Sequence, residues 1–276
     1  MNYRHAFHAG NFADVHKHAV LTAVICSLAE KPRALSYVET HAGAGFYLLD
    51  SPEAKRSREA RSGLGRLSGV EPDNLSLARY LALVAALPEN AQALIACPGS
   101  PLVAAGLLRD DDRLLLCELE DGEAVALKRL FRHDDRVAVH HRDGWEAVGA
   151  LLPPEPRRGL LLVDPPYEAA EDFRLVAAAL RQARERWSTG VLAAWYPIRD
   201  RRELTPFYRE VGAVAGPVLR AELAVRPDDN QAGLNGSGMV IVAPPFGIEG
   251  ELRGLQGELA RLLCPQGAPR DSVDIL

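Results

Sequence analysis

Gly159-Leu160-Leu161-Leu162-Val163-Asp164-Pro165-Pro166-Tyr167 decides how this chain folds. An apolar run of buried type closed by Asp-Pro-Pro-Tyr predicts a central parallel strand that stops at its carboxyl edge. Neither proline can supply a ladder N–H, and the first drives Asp164 into an extended conformation. In an open α/β sheet, ligands bind beyond the carboxyl ends of the strands. Asp164 and Tyr167 therefore belong at the expected crevice, on a turn stiffened by two proline rings. The plain alternative is a proline-capped strand ending in a solvated Asp.

The same turn suits a specific chemistry. An exocyclic aromatic amine is a weak nucleophile, because its lone pair is delocalised into the ring. A carboxylate and a backbone carbonyl, each accepting one of its N–H bonds, hold the nitrogen nearer tetrahedral geometry and free the lone pair for attack. Asp164 and the Pro165 carbonyl fit these roles. Tyr167 offers a flat face to the base, a contact worth about 1–3 kcal/mol.

With 276 residues, 47% of them hydrophobic, the chain can bury a large core, as one α/β domain with an insertion or as two small domains. No apolar run approaches the ~18 residues of a membrane span, and the amino terminus leads into no signal-peptide core, so a cytoplasmic location is expected. Cys26, Cys97, Cys117 and Cys264 are far apart, without a Cys-x-x-Cys pair, and read as core thiols. A net charge of −5 argues against a protein that coats nucleic acid non-specifically, since that mode neutralises many phosphates. Any nucleic-acid contact is local. The basic patches at 4–18, 55–66 and 199–202 are its candidates, with a solvated face as the plain reading of each. No dimer surface stands out, and a monomer is expected.

Rings and bases crowd the amino-terminal segment: Tyr3, Arg4, His5, Phe7 and His8. A helix is predicted over Ala13 to Leu28, capped by Asn11 or Asp14. His16 and His18 diverge on a helix and lack an evident third ligand, so no metal is expected; this turn touches a ligand or lies on the surface. A strand over Ala34 to Glu39 leads into Thr40-His41-Ala42-Gly43-Ala44-Gly45, whose small residues let the backbone approach a ligand or simply turn. A helical insertion follows at Ser51 to Leu94. It divides the chain into 1–48, 49–95 and 96–276. At Pro98-Gly99-Ser100-Pro101, Ser100 is the expected N-cap and Pro101 the first helical residue; the Ser100 hydroxyl could also meet a carboxylate in the crevice.

A second strand over Arg113 to Leu119 carries Glu118 near its end, where an acid suits two vicinal ribose hydroxyls. A third, over Arg136 to His140, leads to Asp143-Gly144, where the carboxylate can accept from an adenine amine and the amide can donate to a ring nitrogen. A simple Asp-Gly turn competes with that reading. After Asp164 come a helix from about Ala169 to Trp187, a strand over Val191 to Trp195 and a charged helix from about Asp200. Two late strands, Pro217 to Val225 and Ser237 to Ala243, enclose a polar loop at 226–236 and are expected to pair antiparallel at the sheet edge.

A glycine loop, an acid, an Asp-Gly and Asp-Pro-Pro-Tyr thus follow successive strands on one face of one sheet. This is the layout of S-adenosylmethionine-dependent methyltransferases that act on amino groups. The expected fold class is α/β: a Rossmann-like class I methyltransferase sheet with helices on both faces, a late antiparallel edge pair and a small helical insertion. The chain resembles the RlmJ family of ribosomal large-subunit RNA adenine-N6 methyltransferases over nearly its full length. The resemblance rests on Tyr-Arg-His-Ala-Phe-His-Ala-Gly-Asn at 3–11, Ala-Asp-Val-His-Lys-His at 13–18, Glu-Thr-His-Ala-Gly-Ala-Gly at 39–45, Pro-Gly-Ser-Pro-Leu at 98–102, Asp-Pro-Pro-Tyr at 164–167, Leu-Ala-Ala-Trp-Tyr-Pro at 192–197 and Gly-Ser-Gly-Met at 236–239. The family often has Asp where Glu39 stands, which keeps the carboxylate and alters its reach.

The resemblance implies methyl transfer from S-adenosylmethionine to N6 of one adenine in 23S ribosomal RNA, on RNA not yet buried in the mature ribosome. It implies that His18, His41, Ser100, Glu118, Asp143, Gly144 and Asp164 bind the donor, with Asp164 also the catalytic acceptor. It implies that Tyr3 contacts the target base; Pro165 and Tyr167 are expected beside that base from the turn chemistry above, and Lys17, beside His18, is expected to serve either donor or phosphate. The basic side chains of the insertion, Lys55, Arg56, Arg58, Arg61 and Arg66, are expected to grip RNA phosphates. Two other functions fit the same catalytic core: a DNA adenine-N6 methyltransferase, and a non-catalytic nucleic-acid-binding protein with a vestigial donor site.

Overall fold

The computed structural model describes residues 4–169, 171–227, 233–264 and 270–276. The chain runs through α1 (Phe12–Ala29), β1 (Ser36–Glu39), β2 (Phe46–Leu48), α2 (Pro52–Ser57), α3 (Leu64–Leu67), α4 (Leu75–Ala85), β3 (Ala96–Pro98) and α5 (Ser100–Leu107). It continues through β4 (Arg113–Glu118), α6 (Asp121–Leu130), β5 (Val137–His141), α7 (Gly144–Leu151), β6 (Gly159–Val163), α8 (Asp172–Arg186) and β7 (Val191–Ile198). It ends with α9 (Thr205–Gly212), β8 (Val218–Ala224), β9 (Gly236–Val242), α10 (Ile248–Leu263) and β10 (Arg270–Ile275).

Among the described residues the main sheet has the order β10-β8-β9-β7-β6-β1-β4-β5. The five strands from β7 to β5 are parallel, with Glu39 of β1 in register with Leu162 of β6 and Leu116 of β4. The chain builds outward from β1 through β4 to β5, then returns to β6 on the other side of β1. The order therefore reverses beside β1, and a crevice opens at the carboxyl ends there. Alternation along the strands feeds two cores: Leu160 and Leu162 face α1, α5 and α10, whereas Leu161 and Val163 face α7, α8 and α9. Helices therefore cover both faces, as the Rossmann-like methyltransferase reading requires.

Three details depart from the sequence reading. The late antiparallel pair is not the edge: β9 lies between β7 and β8, and β10 closes the sheet beyond β8. The turn at His16 to His18 is not surface, because α1 is covered on all sides by α4, α5, α10 and β9. By length and composition alone α1 could also span a membrane; in the fold most of it is buried. Finally, the insertion is closed at its root by a small ladder of β2 against β3, which brings its entry and exit side by side. Its Leu64, Leu67, Leu77 and Tyr80 join the core around α1.

Candidate active site

The carboxyl ends of the parallel strands meet the start of α1 around one cleft of about 2070 Å³. That is roughly twice a large small-molecule pocket, which holds about 1,000 Å³. Lys17, His18, His41, Ser100, Glu118, Asp143, Gly144, Asp164, Pro165 and Tyr167 all border it. Tyr3 lies outside the described residues.

At one end stands Asp164, just past β6. Its Oδ2 accepts from the Lys17 ammonium at 2.7 Å, and Lys17 also lies 3.0 Å from Asp14 Oδ1. No described residue donates to Asp164 Oδ1 or to the Pro165 carbonyl, so both acceptors remain for a ligand in the cleft. Tyr167 adopts a left-handed φ of 51°. Its ring is 6% exposed, packed 4.8 Å from Phe173 and 5.6 Å from Trp195, and its hydroxyl donates to the Trp195 carbonyl at 2.5 Å. The turn after β6 is thereby stapled to the end of β7. Trp195 itself borders the cleft, with its indole N–H given to Ser237 and Lys17 5.8 Å from its ring centroid.

The other end is built from loops after β1, β4 and β5. Glu118 ends β4, accepts from the Gly43 amide with one oxygen at 2.7 Å, and accepts from the Leu119 and Glu120 amides with the other. These bonds fix the carboxylate beside the glycine loop and leave lone pairs for hydroxyl donors. Asp143 caps α7 through Oδ1, 2.7 Å from the Trp145 amide, which leaves Oδ2 without a donor among the described residues. The Gly144 amide, at the helix start, has no acceptor among the described residues. A Cβ at Gly144 would stand 2.1 Å from the Thr40 carbonyl, so only glycine lets α7 start this close to the β1 loop. His41 stacks edge-on to Trp145 at 4.7 Å and bonds the Thr40 hydroxyl at 2.8 Å; burial lowers its pKa to about 4.

The floor differs from expectation at Ser100. Gly99 is the N-cap of α5, and no side chain caps that helix. The Ser100 hydroxyl instead donates to Glu39 Oε1 at 2.5 Å, while the Tyr37 hydroxyl donates to Oε2 at 2.8 Å. A buried carboxyl must collect donors, and this one outcompetes the helix end. Burial raises the Glu39 pKa to about 8, against the Ser100 and Tyr37 hydroxyl donors, which favour its charge. His18 is buried and its pKa falls to about 3; Nδ1 is 3.4 Å from the Tyr80 hydroxyl and Nε2 has no partner among the described residues. His16 turns elsewhere, to Ser237 and Gln256, so the two histidines share no ligand.

Two further residues of the cleft carry weaker sequence signals. Asp14 reads as a helix cap, and its i,i+3 spacing to Lys17 is the signal of a pair. Trp195 follows Ala194, the register partner of Val163, so it stands level with Asp164 inside β7, and the signal for it is the expected strand end at Trp195. Of the basic patches, Arg4, Arg199 and Arg202 border the cleft, joined by Arg226. The insertion contributes Glu53, Glu59 and Ser62 to the wall, while Lys55, Arg56, Arg58 and Arg61 face solvent and the Arg66 guanidinium donates to the Leu263 carbonyl.

Residues 32–273 match the sequence profile of a family described as ribosomal RNA large subunit methyltransferase D, RlmJ. The chain is 39% identical over 275 residues to the ribosomal RNA large subunit methyltransferase J of Haemophilus influenzae, covering 99% of this chain and 98% of that one. It is 38% identical over 274 residues to the protein of the same name from Escherichia coli, again covering 99% and 98%. A solved structure from Legionella pneumophila superposes with a TM-score of 0.88 at 32% identity, over 97% of this chain and 98% of that one. On the profile match and these full-length relatives, the chain belongs to the RlmJ family of ribosomal RNA large subunit methyltransferases.

Proposed function

We propose that this chain transfers a methyl group from S-adenosylmethionine to N6 of a specific adenine in 23S ribosomal RNA, acting on free or incompletely assembled RNA. The observation that carries the reading is Asp164: one oxygen is held by Lys17 and the other is open, beside an open Pro165 carbonyl, in a cleft that runs on to Glu118 and Asp143. Two acceptors on adjacent residues suit the two N–H bonds of an exocyclic amine, and the remainder of the cleft suits a nucleoside.

The residues present fit the donor. The orphaned buried Nε2 of His18 is the kind of group a ligand carboxylate satisfies, with neutral His41 at the loop after β1. Glu118 would take the ribose hydroxyls, and Asp143 Oδ2 with the Gly144 amide would take the adenine edge. Ser100 acts from below, through Glu39. When bound, the donor supplies a methyl on a sulfonium, a leaving group that needs no protonation. Asp164 Oδ1 and the Pro165 carbonyl hold the amine nitrogen in line and localise its lone pair. The excess proton leaves the nitrogen along the Asp164 hydrogen bond. The target adenine must leave its stack, at a cost of a few kcal/mol that falls in loosely structured RNA, which favours free RNA over the mature subunit. Arg4, Arg199, Arg202 and Arg226 stand where flanking phosphates would pass, with the exposed basic residues of the insertion further out.

Labelled donor is offered with protein-free unmodified 23S RNA, intact large subunits and duplex DNA, with nucleoside mass spectrometry as readout. N6-methyladenosine from free RNA, abolished in Asp164→Ala, is the expected result. Transfer to DNA alone would favour the DNA enzyme; donor binding without transfer to any substrate would favour a binding protein.

A further inference from the structure

Asp14, at the start of α1, is linked to Asp164 through Lys17. Its Oδ1 lies 3.0 Å from Lys17 Nζ, which lies 2.7 Å from Asp164 Oδ2. Its Oδ2 accepts the Gly10 amide at 3.0 Å and sits 2.9 Å from His5 Nε2. The side chains of Asp14 and Lys17 are each 6% exposed and that of Asp164 12%. We propose that Asp14 is a positioning residue for the transfer: it anchors Lys17, and through Lys17 fixes the Asp164 rotamer that turns Oδ1 toward the target amine. This rests on the reading of Asp164 given above.

A lysine is a point charge on a flexible stem with rotatable donors, so a single contact would let the ammonium swing around Asp164. Asp14, one turn earlier on the same helix face, supplies a second anchor. The helix start favours a carboxylate there, and Asn11 orders the turn by capping the Ala13 and Asp14 amides. Burial opposes the Asp14 charge, but His5 and Lys17 outweigh it and hold the carboxyl well below its usual range. The ammonium therefore sits between two carboxylates. One line of contacts, His5 to Asp14 to Lys17 to Asp164, ties the amino-terminal segment to the reacting end of the cleft. It also gives a physical reason for the paired motifs at 3–11 and 13–18.

The test is Asp14→Asn, which keeps the shape and an acceptor for the Gly10 amide while removing the charge. With protein-free 23S RNA, kcat is expected to fall about a hundredfold, while the KM for RNA and the donor dissociation constant stay within about threefold of wild type. A folded variant with kcat within about threefold of wild type overturns the proposal. A second arm needs neither RNA nor turnover: nitrogen-15 NMR of the Lys17 ammonium in Asp164→Asn. Slowly exchanging ammonium protons that persist there are the result expected if Asp14 holds Lys17; their loss overturns the proposal even where Asp14→Asn fails to fold. Wild type inactive on every RNA would defeat the proposed function and leave this arm to decide the role of Asp14.

Discussion

At the scale of single residues, the site depends on groups that cannot be exchanged without a steric or electrostatic penalty, and the penalties differ in kind. Lys17→Met would leave Asp14 and Asp164 as neighbouring buried carboxylates with no cation between them. Breaking a buried pair in this way costs on the order of 3–5 kcal/mol. Urea unfolding should show a loss of that order, much of it recovered in the Lys17→Met/Asp14→Asn double variant; additive losses would mean that the two do not share one interaction. Gly144 offers a different test. Its added Cβ would meet the Thr40 carbonyl at 2.1 Å and His41 Cε1 at 3.0 Å, so Gly144→Ala must push the start of α7 away from the β1 loop. Titration calorimetry should find donor affinity lowered by about tenfold or more, an effect of about 1.4 kcal/mol. Unchanged affinity would remove Gly144 and its amide from the proposed donor site.

At the scale of elements, the late Gly-Ser-Gly-Met stretch has a packing explanation. A Cβ at Gly238 would fall 2.1 Å from the Tyr196 ring, and one at Gly236 would fall 2.9 Å from the Leu223 carbonyl. Between them the Ser237 hydroxyl bonds His16 at 2.8 Å and receives the Trp195 indole N–H at 2.8 Å, joining α1, β7 and β9. Ser237→Ala leaves the buried His16 Nδ1 and the part-buried Trp195 indole N–H without this partner and should cost about 1–3 kcal/mol of stability, with a shift in Trp195 fluorescence and donor affinity unchanged. A variant as stable as wild type would show that the network carries no energy. This tie was invisible in the sequence, because nothing local links position 16 to position 237. The central strands were legible for the opposite reason: an apolar run such as 159–163 states its own burial and its own end. Ile248, Leu252, Leu255, Leu259 and Leu263 recur at helical spacing, so α10 is legible in the sequence by the same logic. The place of β9 between β7 and β8 was not readable, since strand order in an antiparallel group is fixed by tertiary packing. Ser100 shows the same limit at a cap. Its local pattern favoured an N-cap, and a buried carboxyl from another strand took the hydroxyl.

For the whole molecule, the buried titratable groups make stability depend on pH with opposite signs on the two sides of neutrality. Burial lowers the pKa values of His16 and His18 to about 3 and of His41 to about 4, from a reference of 6.5. A histidine kept neutral in the fold contributes stability that is complete above 6.5 and is lost as pH falls toward the lowered value, at up to about 1.4 kcal/mol per unit for each group. Glu39 runs the other way. Its carboxyl is raised from 4.5 to about 8, so its contribution is complete below 4.5 and is lost as pH rises toward 8. His8, raised by its hydrogen bond to Glu59 despite partial burial, has the same sign as Glu39. Between 4.5 and 6.5 the lowered histidines, His140 among them, outweigh the raised carboxyls of Glu39 and Glu123; above 6.5 the lowered histidines are silent and the raised groups remain. Thermal unfolding should therefore show a maximum near pH 6.5, falling steeply toward pH 5 and more gently toward pH 8. Glu39→Gln should flatten the alkaline limb and leave the acid limb intact. A wild-type melting temperature that stays level from about pH 6.5 to 8.5 would mean that Glu39 is ionised in the fold, with Tyr37 and Ser100 solvating its charge. Of these histidines His18 and His41 border the cleft, so binding at the proposed donor site should weaken along the acid limb together with stability.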